Sequence, residues 1–140
     1  MAIVILNDAA ISELLRGRAG PVVRHLDDIG TRAATLARAT APRDTGRLAA
    51  SVDHDVSPGG ATVTLAVSAD TRYALWQELG TGVYAGRGPI RPRRAKALRF
   101  TPKGSAAVVF AKSVKGTPRT DFLFNACSAA FPYPITRLLG

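Results

Sequence analysis

The chain reads as an α+β fold: an antiparallel β-sheet of about four strands, with a long N-terminal helix and a C-terminal helix packed on one face. Two patterns and one bulk property predict it. From Pro21 onward, Val22, Leu26, Ile29, Ala33 and Leu36 recur at alternating steps of four and three, the spacing that lines one face of a helix. After Ser51 the period changes to two. Val52, His54 and Val56 point one way and Ser51, Asp53 and Asp55 the other. Beyond a turn at Ser57-Pro58-Gly59-Gly60, Val63, Leu65 and Val67 alternate with Thr62, Thr64 and Ser68, which is a hairpin with one buried face. A length of 140 residues with 46% apolar content fits a single domain, 1–140, with a real core.

Taken in order, residues 2–6 read as a short strand, after which Asn7 or Asp8 caps a helical turn with Ile11, Leu14 and Leu15 on its apolar side. Gly17 and Gly20 end it. Pro21 suits the first position of the long helix, and Pro42 disfavours helical geometry at Ala41, setting the far boundary. The opposite face carries Arg24, Asp28, Arg32 and Arg38. Asp28 and Arg32 are spaced to pair, a contact worth only about 0.3–0.5 kcal/mol when exposed. Asp44 or Thr45 fixes a tight turn before the hairpin. Asp70 then caps a short helix over 71–80, with Tyr73, Trp76 and Leu79 at helical spacing and Gly80 as a left-handed terminator.

Residues 85–96, rich in Gly and Pro, form an exposed basic loop. Two further strands, 98–101 and 107–112, are joined by Pro102-Lys103-Gly104-Ser105. The last helix spans 121–130, capped by Thr120 or Asp121, with Phe122, Leu123, Ala126 and Ala130 on its buried side. Pro132 and Pro134 cannot continue it, which leaves 132–140 as an extended tail. There is no internal repeat and no low-complexity segment.

Charge separates the function classes. With 19 basic and 10 acidic residues the formal charge is +9, and the pI is about 10.8, a balance that suits nucleic acid, an anionic surface or an acidic protein. Between Glu78 and Asp121 there is no acid, yet Arg87, Arg91, Arg93, Arg94, Lys96, Arg99, Lys103, Lys112, Lys115 and Arg119 all fall there, ten of the 19 cations. Like charges this close repel unless a partner or solvent screens them, so the stretch points to binding and not to catalysis. The candidate contacts to a partner or to DNA are Arg87, Arg91, Arg93, Arg94, Lys96, Lys103, Lys112 and Lys115; the plainer alternative is a solvated loop. Tyr73 and Trp76 suit a subunit interface or, equally in pattern, a core. Glu78, the one acid beside the basic loop, either holds that loop or a neighbouring chain, or simply offsets local charge.

Other classes find little support. The start has no basic region and no small-residue cleavage site, so it does not read as a signal peptide, and no stretch approaches the roughly 20 apolar residues of a membrane span. One cysteine, Cys127, excludes an internal disulfide framework and a multi-cysteine zinc site, which fits a reducing compartment; a buried, inert thiol is expected. Neither His25 nor His54 has a partner at metal-ligand or triad spacing, and alternation sends Asp53 and Asp55 away from His54, so no catalytic residue, metal or cofactor is expected. Gly80-Thr81-Gly82-Val83-Tyr84-Ala85 looks like a dinucleotide loop but follows a helix, with no acid within forty residues to hold a ribose. A ribonuclease or toxin needs a His/Glu/Arg set, and the basic stretch has neither His nor Glu. A basic nucleic-acid-binding protein stays open, although only Phe100 and Phe110 interleave aromatics with the cations.

The order of these pieces carries a resemblance. A long helix is followed by Pro42, then Asp44-Thr45-Gly46-Arg47-Leu48, then a hairpin, then Tyr73-Ala74 with Glu78-Leu79-Gly80-Thr81. After the basic loop, Pro118 leads to Phe122-Leu123, with Arg119, Thr120 and Asp121 between them, a longer gap than the pattern usually has. Over 21–130 the chain resembles the small neck proteins of long-tailed bacteriophages, the tail-component family of head–tail joining and tail-completion proteins. What the resemblance implies is a structural virion protein and not an enzyme. It would form a ring, hexameric by family, that joins the filled head to the tail beside head-completion and tail-tube or terminator proteins, while genomic DNA passes through non-specifically. It further implies assembly in the host cytoplasm and residence at the neck or tail top. The alternative within this class is a tail terminator that caps the tail tube.

Overall fold

A computed structural model describes residues 9, 12–14, 17, 20–43, 46–59, 62–132, 134 and 135. The expected strand at 2–6, the caps Asn7 and Asp8, the turn residues Asp44 and Thr45 and most of the 132–140 tail lie outside them. Of the first helical turn only residues 9 and 12–14 are described; they are helical, and Leu14 is exposed. The chain is α+β and divides into two compact units, Met1–Thr71 with Phe122–Gly140, and Arg72–Asp121.

The first unit is built on helix α1, Pro21–Thr40. Pro21 stands at its start behind an extended Gly20, and Ala41 leaves the helix at φ −57°, ψ 134° because Pro42 follows. Its buried stripe is Ile29, Gly30, Ala33, Ala34 and Ala37. This corrects the expected apolar face at one position: Leu36 is exposed and Ala37 is buried. At 3.6 residues per turn Leu36 lies about 90° round the helix from the centre of that stripe.

Helix α2, Arg47–Ala50, buries Leu48. Strands β1, Val52–Gly59, and β2, Thr62–Ala69, then pair antiparallel from Val52↔Ala69 to Gly59↔Thr62. The alternation is as read: Val52 is buried and His54, Val56, Val63, Leu65 and Val67 are half-buried, while Asp53, Asp55, Thr64 and Ser68 are exposed. The expected turn at 57–60 is displaced, since Ser57, Pro58 and Gly59 belong to the ladder. A two-stranded sheet makes this possible, because each strand is an edge and Pro58 can turn its missing donor outward.

The hairpin packs on α1, as does helix α4, Phe122–Ala130, which buries Phe122 and Ala126. Phe131 N–H closes α4 on the Cys127 carbonyl at 2.9 Å, and Cys127 itself is half-buried. Two side chains stitch α1 to β1. Arg38 donates from Nε and Nη2 to the Val52 carbonyl at 3.2 and 2.7 Å. His54 Nε2 meets Asp27 Oδ1 at 2.9 Å. The expected Asp28–Arg32 pair is not among the ion pairs of the described residues.

Gly30 marks where helix and hairpin approach closest. A Cβ there would strike His54 Cδ2 and lie 2.8 Å from Leu65 Cδ1. Alanine inside a helix normally gains up to about 1 kcal/mol over glycine. Here the His54 ring cannot swing aside without breaking its bond to Asp27, so we expect Gly30→Ala to cost about 1–3 kcal/mol in urea unfolding. A gain in stability would show that the approach is not tight.

The second unit has helix α3, Ala74–Leu79, a 3₁₀ turn, Gly82–Ala85, and strands β3, Leu98–Phe100, and β4, Val109–Ala111. The helix begins behind Tyr73 with no side-chain cap, which corrects the expectation for Asp70. Among the described residues no four-stranded sheet forms; β1–β2 and β3–β4 are separate two-stranded sheets. The second pair is only three residues long, and Phe100, Val109 and Phe110 are all exposed, so it offers no buried face to extend a common sheet. The long helix among the described residues is α1, which begins at Pro21.

Candidate assembly surface

The segment 72–121 is shaped by backbone more than by apolar packing. Of the ten buried hydrophobic residues among those described, only Ala74 lies in it. The path after α3 instead lies against 114–121. Thr81 N–H donates to the Thr117 carbonyl at 2.9 Å and Val83 N–H to the Lys115 carbonyl at 2.8 Å. Thr117 N–H returns to Thr81 Oγ1 at 2.8 Å. Ile90 and Val114 exchange both backbone bonds, at 2.8 and 3.0 Å.

Glycine permits this contact at three places. Gly80, Gly82 and Gly116 have φ of 74°, 60° and 98°, where side chains are rarely tolerated. A Cβ on Gly80 would sit 2.8 Å from the Thr117 carbonyl, one on Gly82 would strike the Lys115 carbonyl, and one on Gly116 the Thr81 carbonyl. Gly80-Thr81-Gly82 therefore serves a chain crossing. Its amides at Thr81 and Val83 already bond carbonyls, so they are not presented to a pyrophosphate.

The three residues between Pro118 and Phe122 tie the end of the segment down. Thr120 donates to the Gln77 carbonyl from N–H at 2.9 Å and from Oγ1 at 2.7 Å. Arg119 grips Asp121 with two bonds of 2.6 Å, and Asp121 has φ 49°, a left-handed conformation for a non-glycine residue. The hydrogen bond to Asp121, the charge of that carboxylate and the charge of Glu78 raise the Arg119 pKa above an arginine's ordinary value. Arg119 is thus committed inside its own chain, and Glu78, 6% exposed, is buried.

What remains on the outside is cationic and apolar together. Arg87, Arg91, Arg93, Arg94, Lys96, Lys103, Lys112 and Lys115 are all exposed. Lys103 has an interaction of its own, and the other seven make no side-chain ion pair among the described residues. The second unit holds eleven basic and two acidic residues, so it carries the entire formal +9, while the rest of the chain has eight of each sign. Nine of the twelve exposed large hydrophobics among the described residues also lie here: Leu75 and Trp76 on α3, Val83, Tyr84 and Ile90 after it, Phe100 on β3, Val108 just before β4, and Val109 and Phe110 on it. Trp76 is 58% exposed, which removes the core reading for that residue; Tyr73 is half-buried.

Sequence reading missed the partners that lie far along the chain: Gly116 with Thr81, Thr120 with Gln77, and Asp27 with His54. In the last group Asp53 Oδ1 also stands 4.0 Å from His54 Nδ1. The arrangement ties α1 to β1, and among the described residues no group of three or more His, Cys, Asp or Glu is placed to hold a metal. No described helix is long and apolar enough to cross a membrane. Compared with protein-family models, curated proteins and solved structures, the chain finds no match.

Proposed function

We propose that this chain is a structural protein of the neck of a long-tailed bacteriophage, assembling as a ring that joins the DNA-filled head to the tail and completes the tail. The observation that carries an assembly role is the surface of 72–121. A segment with one buried hydrophobic residue, nine exposed large ones and the whole excess charge of the chain is suited to being covered by partners. The phage assignment rests on the order of motifs, from Pro42 through Gly80-Thr81 to Phe122-Leu123.

In this reading the loop cations Arg87, Arg91, Arg93, Arg94 and Lys96 face the channel and meet passing DNA through phosphate alone. Such contacts are sequence-blind and weak one by one, which suits a duct that DNA must traverse. Leu75 and Trp76 on α3 supply apolar contact to a neighbouring protein of the neck. The ring forms in the host cytoplasm and remains in the virion.

Reconstitution tests the reading. Purified protein added to a lysate of phage lacking the gene should restore plaque-forming particles in proportion to the protein added. Failure to restore any, with the purified chain folded, would count against a joining role.

A further inference from the structure

We infer that the β3–β4 ribbon of one copy docks on the outer face of the β1–β2 hairpin of a second copy, making a head-to-tail contact. The inference deepens the ring reading proposed above and rests on it.

The ribbon is a poor structure to leave in water. It has two strands of three residues, and a hairpin of this size has marginal stability without a face to pack against. Phe110 is 68% exposed, the highest value among the exposed large hydrophobics. Its cross-strand partner is Arg99, so ring and guanidinium share one face. Lys112 follows immediately after the end of β4 and is exposed. The docking surface is therefore one aromatic ring with the Arg99 cation opposite it and the Lys112 cation at the end of its strand.

The hairpin offers the complement. Its outer face carries Asp53 and Asp55, both exposed and about 6.6–6.8 Å apart as alternate residues of one strand. Across from them stand only Ser68 and Ala66, which leave a low floor where an aromatic ring can lie. Two cations on the ribbon thus meet two acids on the hairpin, and the low floor beside the acids leaves room for the ring. Charge segregation supports the same pairing, since all of the excess positive charge lies in one unit and most of the exposed carboxylates in the other. Nucleic acid is the less suited occupant: the phosphates of a duplex would use Arg99 and Lys112 but leave the exposed Phe110 ring beside them uncovered.

A contact between two different patches is heterologous, and it closes into a ring when the rotation between copies divides a full turn. That predicts a distinctive mixing result. Arg99→Glu/Lys112→Glu spoils the ribbon, and Asp53→Lys/Asp55→Lys spoils the hairpin face. All four positions are exposed; Asp53 and Asp55 accept local bonds from the His54 N–H and the Ser57 hydroxyl, so the hairpin variant should melt somewhat earlier than wild type, and both variants should remain folded at the assay temperature by circular dichroism. By sedimentation velocity over a concentration series, wild type should associate beyond a dimer and each double variant should be monomeric. In an equal mixture the Glu ribbon of one variant meets the Lys face of the other and the basic ribbon meets the Asp face, so the mixture should assemble beyond a dimer with the two variants alternating, and the quadruple swap in a single chain should restore assembly by itself.

Double variants that assemble like wild type would overturn the docking while leaving the ring reading intact. If those variants also lose DNA binding, the ribbon is a nucleic-acid surface instead. A wild-type chain that stays monomeric at every concentration would overturn both the docking and the ring.

Discussion

Replacing Gly82 with alanine is expected to unfold the 72–121 segment while α1 and the β1–β2 hairpin stay folded. Two costs combine at this position. An alanine at φ 60° is disfavoured by about 1–2 kcal/mol, and its Cβ would strike the Lys115 carbonyl, a backbone atom that cannot rotate away. Forced overlap of this kind adds about 1–3 kcal/mol. Because the segment has only Ala74 as a buried hydrophobic residue, a combined loss of about 2–5 kcal/mol has little apolar packing to set against it. Amide exchange should then quicken at Val83, Ile90 and Val114, whose N–H groups form the crossing. Gly86→Ala is the control: φ is 71°, yet nothing lies within 4 Å of its Cβ, so only the conformational cost applies. Equal effects at the two positions would refute the close approach.

Reversing Arg91, Arg93 and Arg94 to glutamate should abolish infectivity by orders of magnitude without disturbing the fold. All three are exposed and without ion pairs among the described residues, so their replacement should change stability by no more than about 0.5 kcal/mol. The formal charge of the chain would fall from +9 to about +3. If the three meet phosphate, the salt dependence of DNA binding by the chain should flatten, its logarithmic slope falling by about 2.7. Normal titre from the triple variant would remove the loop from the mechanism.

Much of the fold was legible in local sequence. Two prolines delimit α1 at Pro21 and Pro42, the period-two run from Val52 specifies the hairpin face, and Gly80 ends α3 at positive φ, although its ψ of −178° is not that of the left-handed terminator expected. Each of these is decided within a few residues. What was illegible was decided farther away. Thr81 and Gly116 are 35 residues apart, and nothing in either short motif shows that one needs the other. Trp76 looks like core because interface and core share one apolar spacing, and only exposure distinguishes them. The assumption of one sheet failed because alternation specifies strands but not which strands pair. Leu36 and Ala37 exchanged roles because α1 packs on a stripe of small residues, which a search for large apolar ones passes over.

The acid-free run was plain in the sequence, but its meaning changed with the structure. Arg119 left the set of cations open to a partner once it was found gripping Asp121. The exposed apolar residues among them could not be foreseen, since placing strands 98–101 and 107–112 in one sheet with helices on a face implied a buried face that β3 and β4 do not have.

Electron microscopy of lysates after deletion of the gene tests the central claim most directly. The neck assignment predicts DNA-filled heads beside separate tails of normal length. Tails of uncontrolled length would move the role to capping the tail tube, and joined, infectious particles of normal yield would contradict a neck function altogether.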